Sequence, residues 1–362
     1  MKTYIIIVAG YDYANGGVNF AYIADKRRLY LQQQNPSWAN DPDVVFVRFD
    51  VKAGKIERNT SNGTSRSWSP DSGSFTAINR STHYQSEHFI SADTNVLSIT
   101  DAYRYVSNLG ATEPGTVREF SVMGHGWYGG PVLVNSFERS EFAVGGSRYP
   151  ERDPRDKDGR TKDFARENMS DTDWGHFQNA FASDGYCWVW GCVFTRAYYN
   201  TLYKIMQTPA FKSKAFGTHQ DSDAFTITVN DSFVTSYYDA DRTFFPRDNN
   251  ERTFTRTLLE LKTFLKRGMR RAYPGKFAGD TGIECRAAFL GTYSDYERAY
   301  PGHNPTHAVM IVPRHVGAYG TDFTKTINFF KTYLGMPEDP ENRGYGVYTN
   351  AMVNQWWSET TV

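Results

Sequence analysis

The stretch from Tyr186 to Cys192, Tyr-Cys-Trp-Val-Trp-Gly-Cys, constrains the fold of this chain more than any other. A short apolar run without polar alternation is typical of a strand buried on both faces, as in the centre of a parallel α/β sheet. The turn-forming residues Ser-Asp-Gly precede it at 183–185. Cys192 would therefore end a strand at the carboxyl edge of the sheet, where α/β proteins bind ligands. This position makes the thiol a candidate nucleophile.

A second apolar run, at 118–123, leads into Gly124-His125-Gly126 and places an imidazole at the end of another strand. Neighbouring strands lie about 5 Å apart, so side chains that follow two such strands can meet. A cysteine nucleophile needs a base for its proton and donors for the oxyanion. We expect Cys192 to be the nucleophile and His125 the base. The N–H groups of Gly126 and Cys192 would form the oxyanion hole, because Gly126 has no side chain to block a substrate carbonyl.

Predicted strands and helices alternate along the chain. A strand at 4–9, a helix at 20–33 capped by Asn19 and a strand at 44–49 form a βαβ unit with parallel strands. Further helices are predicted at 99–109, 174–182, 195–207, 254–269 and 323–334, and further strands at 116–123, 214–218, 225–229 and 308–312.

The alternation predicts a single α/β domain over residues 1–362, a three-layer α/β/α sandwich whose central sheet is mostly parallel. Loop or hairpin excursions are expected at 52–90 and 131–173, and residues 225–362 would elaborate the same domain. The second excursion contains dense charges, two prolines and almost no apolar residues between 145 and 160. It is either a solvated surface loop or a processing loop that offers arginines to a protease.

The composition limits the classes of binding partner and the cellular compartment that we expect for this protein. Forty basic and forty acidic residues cancel, which argues against nucleic acid or an anionic membrane. The apolar runs are far shorter than a membrane span. Met1 leads almost directly into the first strand, so no secretory signal is expected. Three cysteines fit a reducing compartment. We expect a cytoplasmic protein with a protein or peptide substrate and no cofactor, and delivery into another cell stays open.

The segments 120–126, Phe-Ser-Val-Met-Gly-His-Gly, and 187–192, Cys-Trp-Val-Trp-Gly-Cys, resemble the caspase-type clan of cysteine peptidases. That clan includes caspases, metacaspases, legumains, gingipains, separases and the bacterial CHAT proteases. The resemblance implies a caspase-like fold over about residues 1–220 and a Cys–His dyad. The chain differs from caspases and metacaspases because Val-Phe-Thr follows Cys192 at 193–195, without their glycine. Metacaspases also carry an acid where this chain has Trp190, so the Gly-Cys ending is closer to separases and CHAT proteases.

The resemblance also suggests a substrate preference. In caspase-like folds, the loop after the first strand and the loop after the strand that follows the cysteine line the pocket for the residue before the scissile bond. These loops hold Asp12, and Asp221 with Asp223, whose carboxylates would favour Arg or Lys. The same acids serve equally well as loop-forming or capping residues. A basic-selective pocket would make Arg152, Arg155 or Arg160 self-processing sites, and Asp-rich loops leave a calcium requirement open.

Two other functions compete. An α/β-hydrolase esterase is suggested by His125-Gly126-Trp127, which resembles the oxyanion strand of lipases, but the chain has no Gly-x-Ser-x-Gly. A non-catalytic interaction protein on a protease-like scaffold would account for the 24 Tyr, 25 Phe and 8 Trp. His219 is the reserve base. Cys187 and Cys285 are predicted to be structural, and His176 to be solvated.

Overall fold

The structure is a computed structural model. It describes residues 1–12, 18–51, 53–71, 97, 99–135, 169–230, 233, 241, 243–246, 250–296, 310–311 and 323–360. The predicted excursion at 131–173 lies mostly outside these residues, as do Arg152, Arg155 and Arg160. The excursion at 52–90 is described over 53–71, where it forms a hairpin of Lys55–Ser61 and Arg66–Pro70.

An eight-stranded, mostly parallel sheet forms the centre of the protein. Its strands are β1 (Thr3–Ala9), β2 (Val44–Asp50), β3 (Lys55–Ser61), β4 (Arg66–Pro70), β5 (Val117–Met123), β6 (Phe181–Val189), β7 (Glu284–Ala287) and β8 (Gly346–Tyr348). Their order in space is β8-β7-β6-β5-β1-β2-β3-β4. The strands from β7 to β2 are parallel, whereas β8 and the β3–β4 hairpin are antiparallel to their neighbours. The predicted α/β class with a mostly parallel sheet is confirmed.

Nine helices accompany the sheet in the part of the chain that the structure describes. They are α1 (Phe20–Gln34), α2 (Ile99–Thr112), α3 (Asp171–Ala180), α4 (Arg196–Gln207), α5 (Pro209–Lys212), α6 (Leu258–Arg271), α7 (Tyr273–Thr281), α8 (Phe323–Leu334) and α9 (Asn350–Thr360). A 3-10 turn spans Pro36–Ala39.

Helices cover both faces of the sheet. Successive residues of a strand point to opposite faces, and β5 shows where the helices lie. Glu119 contacts Arg27 of α1. The next residue, Phe120, points the other way and packs against Tyr103 of α2 and Phe177 of α3, with ring centroids 6.0 and 6.3 Å away. The layers are thus α1, the sheet, and α2 with α3, in agreement with a three-layer sandwich.

The first βαβ unit is formed as predicted. β1 and β2 are parallel, with Thr3 opposite Val44, and α1 connects them. The Asn19 side chain accepts a hydrogen bond from the N–H of Tyr22 at 3.0 Å, which caps the helix at its predicted start.

The prediction of a strand at 214–218 is wrong. This segment follows α5 and forms turns, with Phe216 44% exposed, so it has no buried face that a sheet could cover. The strand that follows β6 in the sheet is β7, from Glu284 to Ala287. Sequence analysis missed it because four residues are too few to show a pattern.

Other boundaries also differ from the prediction. The strand predicted to end at Cys192 is Phe181–Val189, so it ends before that cysteine. The helix predicted from 254 begins at Leu258, because Thr253–Thr257 pairs with Ala224–Thr228 as a hairpin. Thr257 then starts α6 with a capping box. The strand predicted at 308–312 is described only at Met310–Ile311, which pairs with Asp295–Tyr296 outside the main sheet.

A buried cluster of charges fastens α1 to the sheet. Arg27 is fully buried and donates to both carboxylate oxygens of Glu119, at 3.0 and 2.8 Å. It also donates to both oxygens of Glu341, at 2.7 Å each. Its guanidinium lies over the rings of Trp188 and Trp190, 5.0 and 4.9 Å from their centroids. Two bidentate pairs and an aromatic surface thus stabilise a buried cation.

The ionisation of the cluster follows from these contacts. Burial would lower the pKa of Arg27, but Glu119 and Glu341 hold the pKa of Arg27 well above its ordinary value. Burial would likewise raise the pKa of Glu341, but Arg27 and Arg343 outweigh burial and lower the pKa of Glu341. Arg27 and Glu341 are therefore ionised at neutral pH.

Replacing Arg27→Leu should destabilise the fold strongly, because it leaves Glu119 buried without its cation. We expect the free energy of unfolding to fall by about 3–5 kcal/mol in urea denaturation. Arg28→Leu is the matched control, since Arg28 pairs with Asp25 within the same helix at a partly exposed site. That change should cost less than about 1 kcal/mol. Equal losses in the two variants would contradict a central role for Arg27.

Candidate functional site

The two sequence motifs meet at the carboxyl edge of the sheet. β5 and β6 are parallel neighbours, with Val122 opposite Val189. The N–H of Trp190 donates to the carbonyl of Val122 at 2.9 Å, which continues the ladder past the end of β6. His125 and Cys192 follow the two strands directly, so the structure brings the predicted base and nucleophile to one place.

Two glycines allow close contact between the motifs. A Cβ atom on Gly126 would lie 2.6 Å from the carbonyl oxygen and 2.9 Å from the nitrogen of Cys192. A Cβ atom on Gly191 would lie 3.0 Å from the carbonyl oxygen of His125. The neighbouring atoms are backbone and cannot move aside as a side chain would, so Gly126 has no room for a Cβ atom and Gly191 has little. The amide nitrogen of Cys192 consequently lies close to Gly126.

The imidazole of His125 is half-buried and oriented by α1. His125–Trp127 pairs with Gly130–Val132 as a short hairpin. The ring of Phe20, the first residue of α1, meets the imidazole edge-on, with centroids 5.6 Å apart at 83°. Phe20 therefore restricts the rotation of His125, and this contact between distant segments was not predicted.

The thiol of Cys192 is half-buried and contacts Ser294. The N–H of Ser294 donates to Sγ at 3.2 Å, and Sγ lies 3.8 Å from the carbonyl oxygen of Ser294. The Ser294 hydroxyl donates to the carbonyl of Gly191 at 2.9 Å. Ser294 was not predicted, because the four-residue strand β7 that precedes it shows no recognisable pattern.

The loop after β7, here called the β7 loop and formed by residues 288–294, is hydrogen-bonded to the residues on both sides of Cys192. The N–H of Val193 donates to the carbonyl of Thr292 at 3.3 Å, and the N–H of Gly291 donates to the carbonyl of Val193 at 3.0 Å. The rings of Phe194 and Tyr293 stack with centroids 4.2 Å apart. The position of Cys192 is thus set by β7 as much as by β6.

Two fully buried tyrosines lie near the thiol. The hydroxyl of Tyr345 donates to the carbonyl of Trp190 at 3.2 Å. Burial raises the pKa of Tyr345 well above its ordinary value, and the nearby thiol of Cys192 adds to this although a hydrogen bond with Ser294 opposes it. Burial also raises the pKa of Tyr273, with smaller contributions that include Cys192. Both phenols therefore remain neutral at physiological pH.

The predicted substrate-binding acids are not brought together. Asp12 lies in the two-residue strand Tyr11–Asp12 just beyond β1, at the edge that carries His125. Asp221 and Asp223 were expected to follow a strand at 214–218, which does not exist. They lie instead beside the start of α6, where Asp221 pairs with Lys262 at 2.9 Å and Asp223 with Lys214 at 2.7 Å.

The other predicted side chains have structural surroundings. His219 is buried and stacks on Phe211, 4.1 Å between centroids. Its Nε2 lies 2.9 Å from the Phe211 carbonyl and its Nδ1 lies 2.6 Å from the Tyr333 hydroxyl, so both ring nitrogens are engaged. Cys187 and Cys285 are fully buried neighbours in the sheet, as expected of structural thiols. Burial raises the pKa of the Cys187 thiol well above its ordinary value.

A cleft of about 540 Å³ opens at the amino-terminal half of the same strands, away from Cys192. Arg118 and Asp184, which line it, pair at 3.2 Å, and Arg286 pairs with Glu284 at 2.8 Å. Its charged groups therefore already have partners, and the candidate Cys192–His125 site lies at the other edge of the sheet.

The residues that the structure describes contain no group of three or more His, Cys, Asp or Glu side chains with the geometry of a metal site. None of their helices combines the length and apolarity that crossing a membrane demands. Comparison of the chain with protein-family models, curated proteins and solved structures gives no match.

Gly126→Ala should disturb the contact between the two motifs, because the new methyl group would collide with the backbone of Cys192. We expect the free energy of unfolding to fall by about 1–3 kcal/mol in urea denaturation. Gly175→Ala is the control, since a Cβ atom at this position in α3 meets nothing within 4 Å. The control should be unchanged or more stable by up to about 1 kcal/mol. A Gly126→Ala variant as stable as the parent would show that the contact is looser than described.

Proposed function

We propose that the chain is a cysteine endopeptidase of the caspase type, with Cys192 as nucleophile and His125 as base. One observation carries the proposal: Gly126 packs against Cys192 where two adjacent parallel strands end. This contact places a thiol, an imidazole and two candidate oxyanion donors at one edge of the sheet. Such a combination suits acyl transfer.

The reaction follows from the roles of these groups. The Cys192 thiolate attacks the peptide carbonyl carbon, and the N–H groups of Gly126 and Cys192 donate to the oxyanion that forms. His125, having taken the thiol proton, gives it to the leaving amine as the C–N bond breaks. Water then attacks the thioester with His125 as base. This step releases the carboxylic acid and restores the thiol.

The order of the sheet supports the caspase-type assignment. The strand before the histidine lies between β1 and the strand before the cysteine, and α4 follows the cysteine. The main departure from metacaspases also has an explanation. Trp190, where they carry an acid, is fully buried, and its Nε1–H donates to Ser121 at 3.0 Å. Its side chain belongs to the core and not to the catalytic edge.

The rival proposal of an aromatic-rich interaction protein gains less support. Many aromatic rings of the described residues pack against one another in the core. The exposed ones come from separate elements and include Tyr22, Trp127, Tyr203, Phe216 and Trp357. Scattered exposed residues of this kind are normal on a protein surface.

A preference for Arg or Lys before the scissile bond now depends on Asp12. Asp221 and Asp223 pair with lysines beside α6, whereas Asp12 lies at the candidate catalytic edge. The same preference would make Arg152, Arg155 and Arg160 sites of self-processing.

His125→Ala tests the dyad through the pH dependence of Cys192 alkylation, followed from pH 5 to 9 by peptide mass spectrometry. In the parent protein, Cys192 should react well below the pKa of about 8.5 of an ordinary thiol. At pH 6.5 the variant should react about tenfold more slowly, because no imidazolium stabilises the thiolate. Its peptidase activity should fall about a thousandfold or more.

His176→Ala is the matched control, since His176 lies in α3 and is also partly buried. Its alkylation profile should match that of the parent. A Cys192 that is inert in the parent and in His125→Ala would overturn the peptidase proposal and favour a binding scaffold.

Asp12→Asn tests the substrate preference. Removing a carboxylate that faces a basic side chain should reduce kcat/KM for Arg and Lys reporter peptides about tenfold, while a neutral reporter is little affected. Asp223→Asn is the control, because Asp223 pairs with Lys214 beside α6. If both variants keep the parental selectivity, Asp12 does not determine the preference.

A further inference from the structure

Ser294 contacts the Cys192 thiol through its main chain and Gly191 through its side chain. The Ser294 carbonyl oxygen lies farther from Sγ than its N–H does, at 3.8 Å. The main-chain N–H of Ser294 donates to Sγ at 3.2 Å, and its side-chain hydroxyl donates to the Gly191 carbonyl at 2.9 Å. The first contact acts on the thiol directly. The second fixes the distance between the β7 loop and the residue before the cysteine.

The N–H contact favours the ionised thiol. A donor forms a stronger hydrogen bond to a charged acceptor than to a neutral one, so it stabilises the thiolate more than the thiol. Stabilising the charged form of an acid lowers its pKa. The N–H of Ser294 therefore adds to the stabilisation of the thiolate that the His125 imidazolium provides.

The hydroxyl contact connects the thiol to the rest of the site. Gly191, whose carbonyl accepts from Ser294, packs against the His125 carbonyl. Trp190, the residue before Gly191, accepts a hydrogen bond from the buried Tyr345 hydroxyl at 3.2 Å. Ser294 thus connects the sulfur to the glycine contact, and Tyr345 fixes the adjacent residue.

We propose that Ser294 is the positioning residue of the Cys192 thiol. Its N–H holds the sulfur in its ionised form, and its hydroxyl ties the β7 loop to the contact between the two motifs. This role rests on the proposed peptidase function, in which the His125 imidazolium keeps the proton taken from the thiol and gives it to the leaving amine.

The test compares alkylation of Cys192 by iodoacetamide across pH 5–9.5 in three variants. Ser294→Pro removes the N–H donor and should lower the rate at pH 6.5 about tenfold. Ser294→Ala keeps the N–H but loses the hydroxyl anchor, and should lower that rate about threefold. Ser294→Thr restores a hydroxyl and should stay within about twofold of the parent. At pH 9.5 all rates should converge, because the thiol is then ionised in every variant.

Ser213→Ala is the matched control, because the hydroxyl of Ser213 also donates to a backbone carbonyl, that of Ala210 at 2.8 Å, but at an exposed position. Its profile should match the parental one. A variant whose fold is only loosened would expose Cys187 and Cys285 to iodoacetamide, but the pH at which Cys192 reaches half of its maximal alkylation rate would not change. Peptide mass spectrometry of the same digest measures alkylation of all three cysteines. If Ser294→Pro does not fold, Ser294→Ala decides.

The outcomes separate the two proposals. Profiles of Ser294→Ala and of folded Ser294→Pro that superimpose on the parent would overturn the role of Ser294, even if His125→Ala shifts its own profile. If the peptidase proposal is wrong, His125→Ala has no effect on the profile, and the Ser294 variants still shift it. The positioning role is supported if Ser294→Ala lowers the rate of Cys192 alkylation at pH 6.5 threefold or more, while Ser294→Thr keeps that rate within about twofold of the parent.

Discussion

The burial of one guanidinium determines how the layers of this protein fit together. Arg27 has no exposed surface, and a buried charge is tolerated only with partners of opposite charge in good geometry. Glu119 supplies one partner from the sheet and Glu341 supplies the other from the segment before β8. The same cation lies over the rings of Trp188 and Trp190. Helix α1, the sheet and the C-terminal segment are therefore all held by contacts with Arg27.

The sheet edge that carries His125 and Cys192 depends on backbone contacts more than on side chains. Gly126 and Gly191 let the ends of β5 and β6 approach until their main chains touch. The β7 loop then closes over the cysteine through Ser294 and Thr292. Side chains add orientation to this frame, as Phe20 does for the imidazole. The candidate site is therefore fixed to the edge of the sheet by main-chain contacts, as precise positioning of reactive groups requires.

The sequence predicts the parts of this structure that local patterns encode. The first βαβ unit and the strands before His125 and Cys192 are long, apolar runs bounded by turns, so they were recognisable. β7 and β8 have four and three residues, too few for a pattern, and their place is set by pairing with distant strands. Ser294 and Tyr345 were missed for the same reason. The expectation for Asp221 and Asp223 failed because it depended on a strand that Phe216 and its exposed neighbours do not form.

The candidate site is assembled from segments that lie far apart in the chain, so its parts are synthesised at different times. A ribosome that has made His125 and Cys192 has not yet made Ser294, Tyr345 or Glu341. The nascent chain therefore carries the thiol before it carries the β7 loop that surrounds it. Domains acquire their final packing only when all their elements have emerged. The contacts of Cys192 and Trp190 with Ser294 and Tyr345 can therefore form only after the chain has been synthesised beyond the β7 loop and Tyr345.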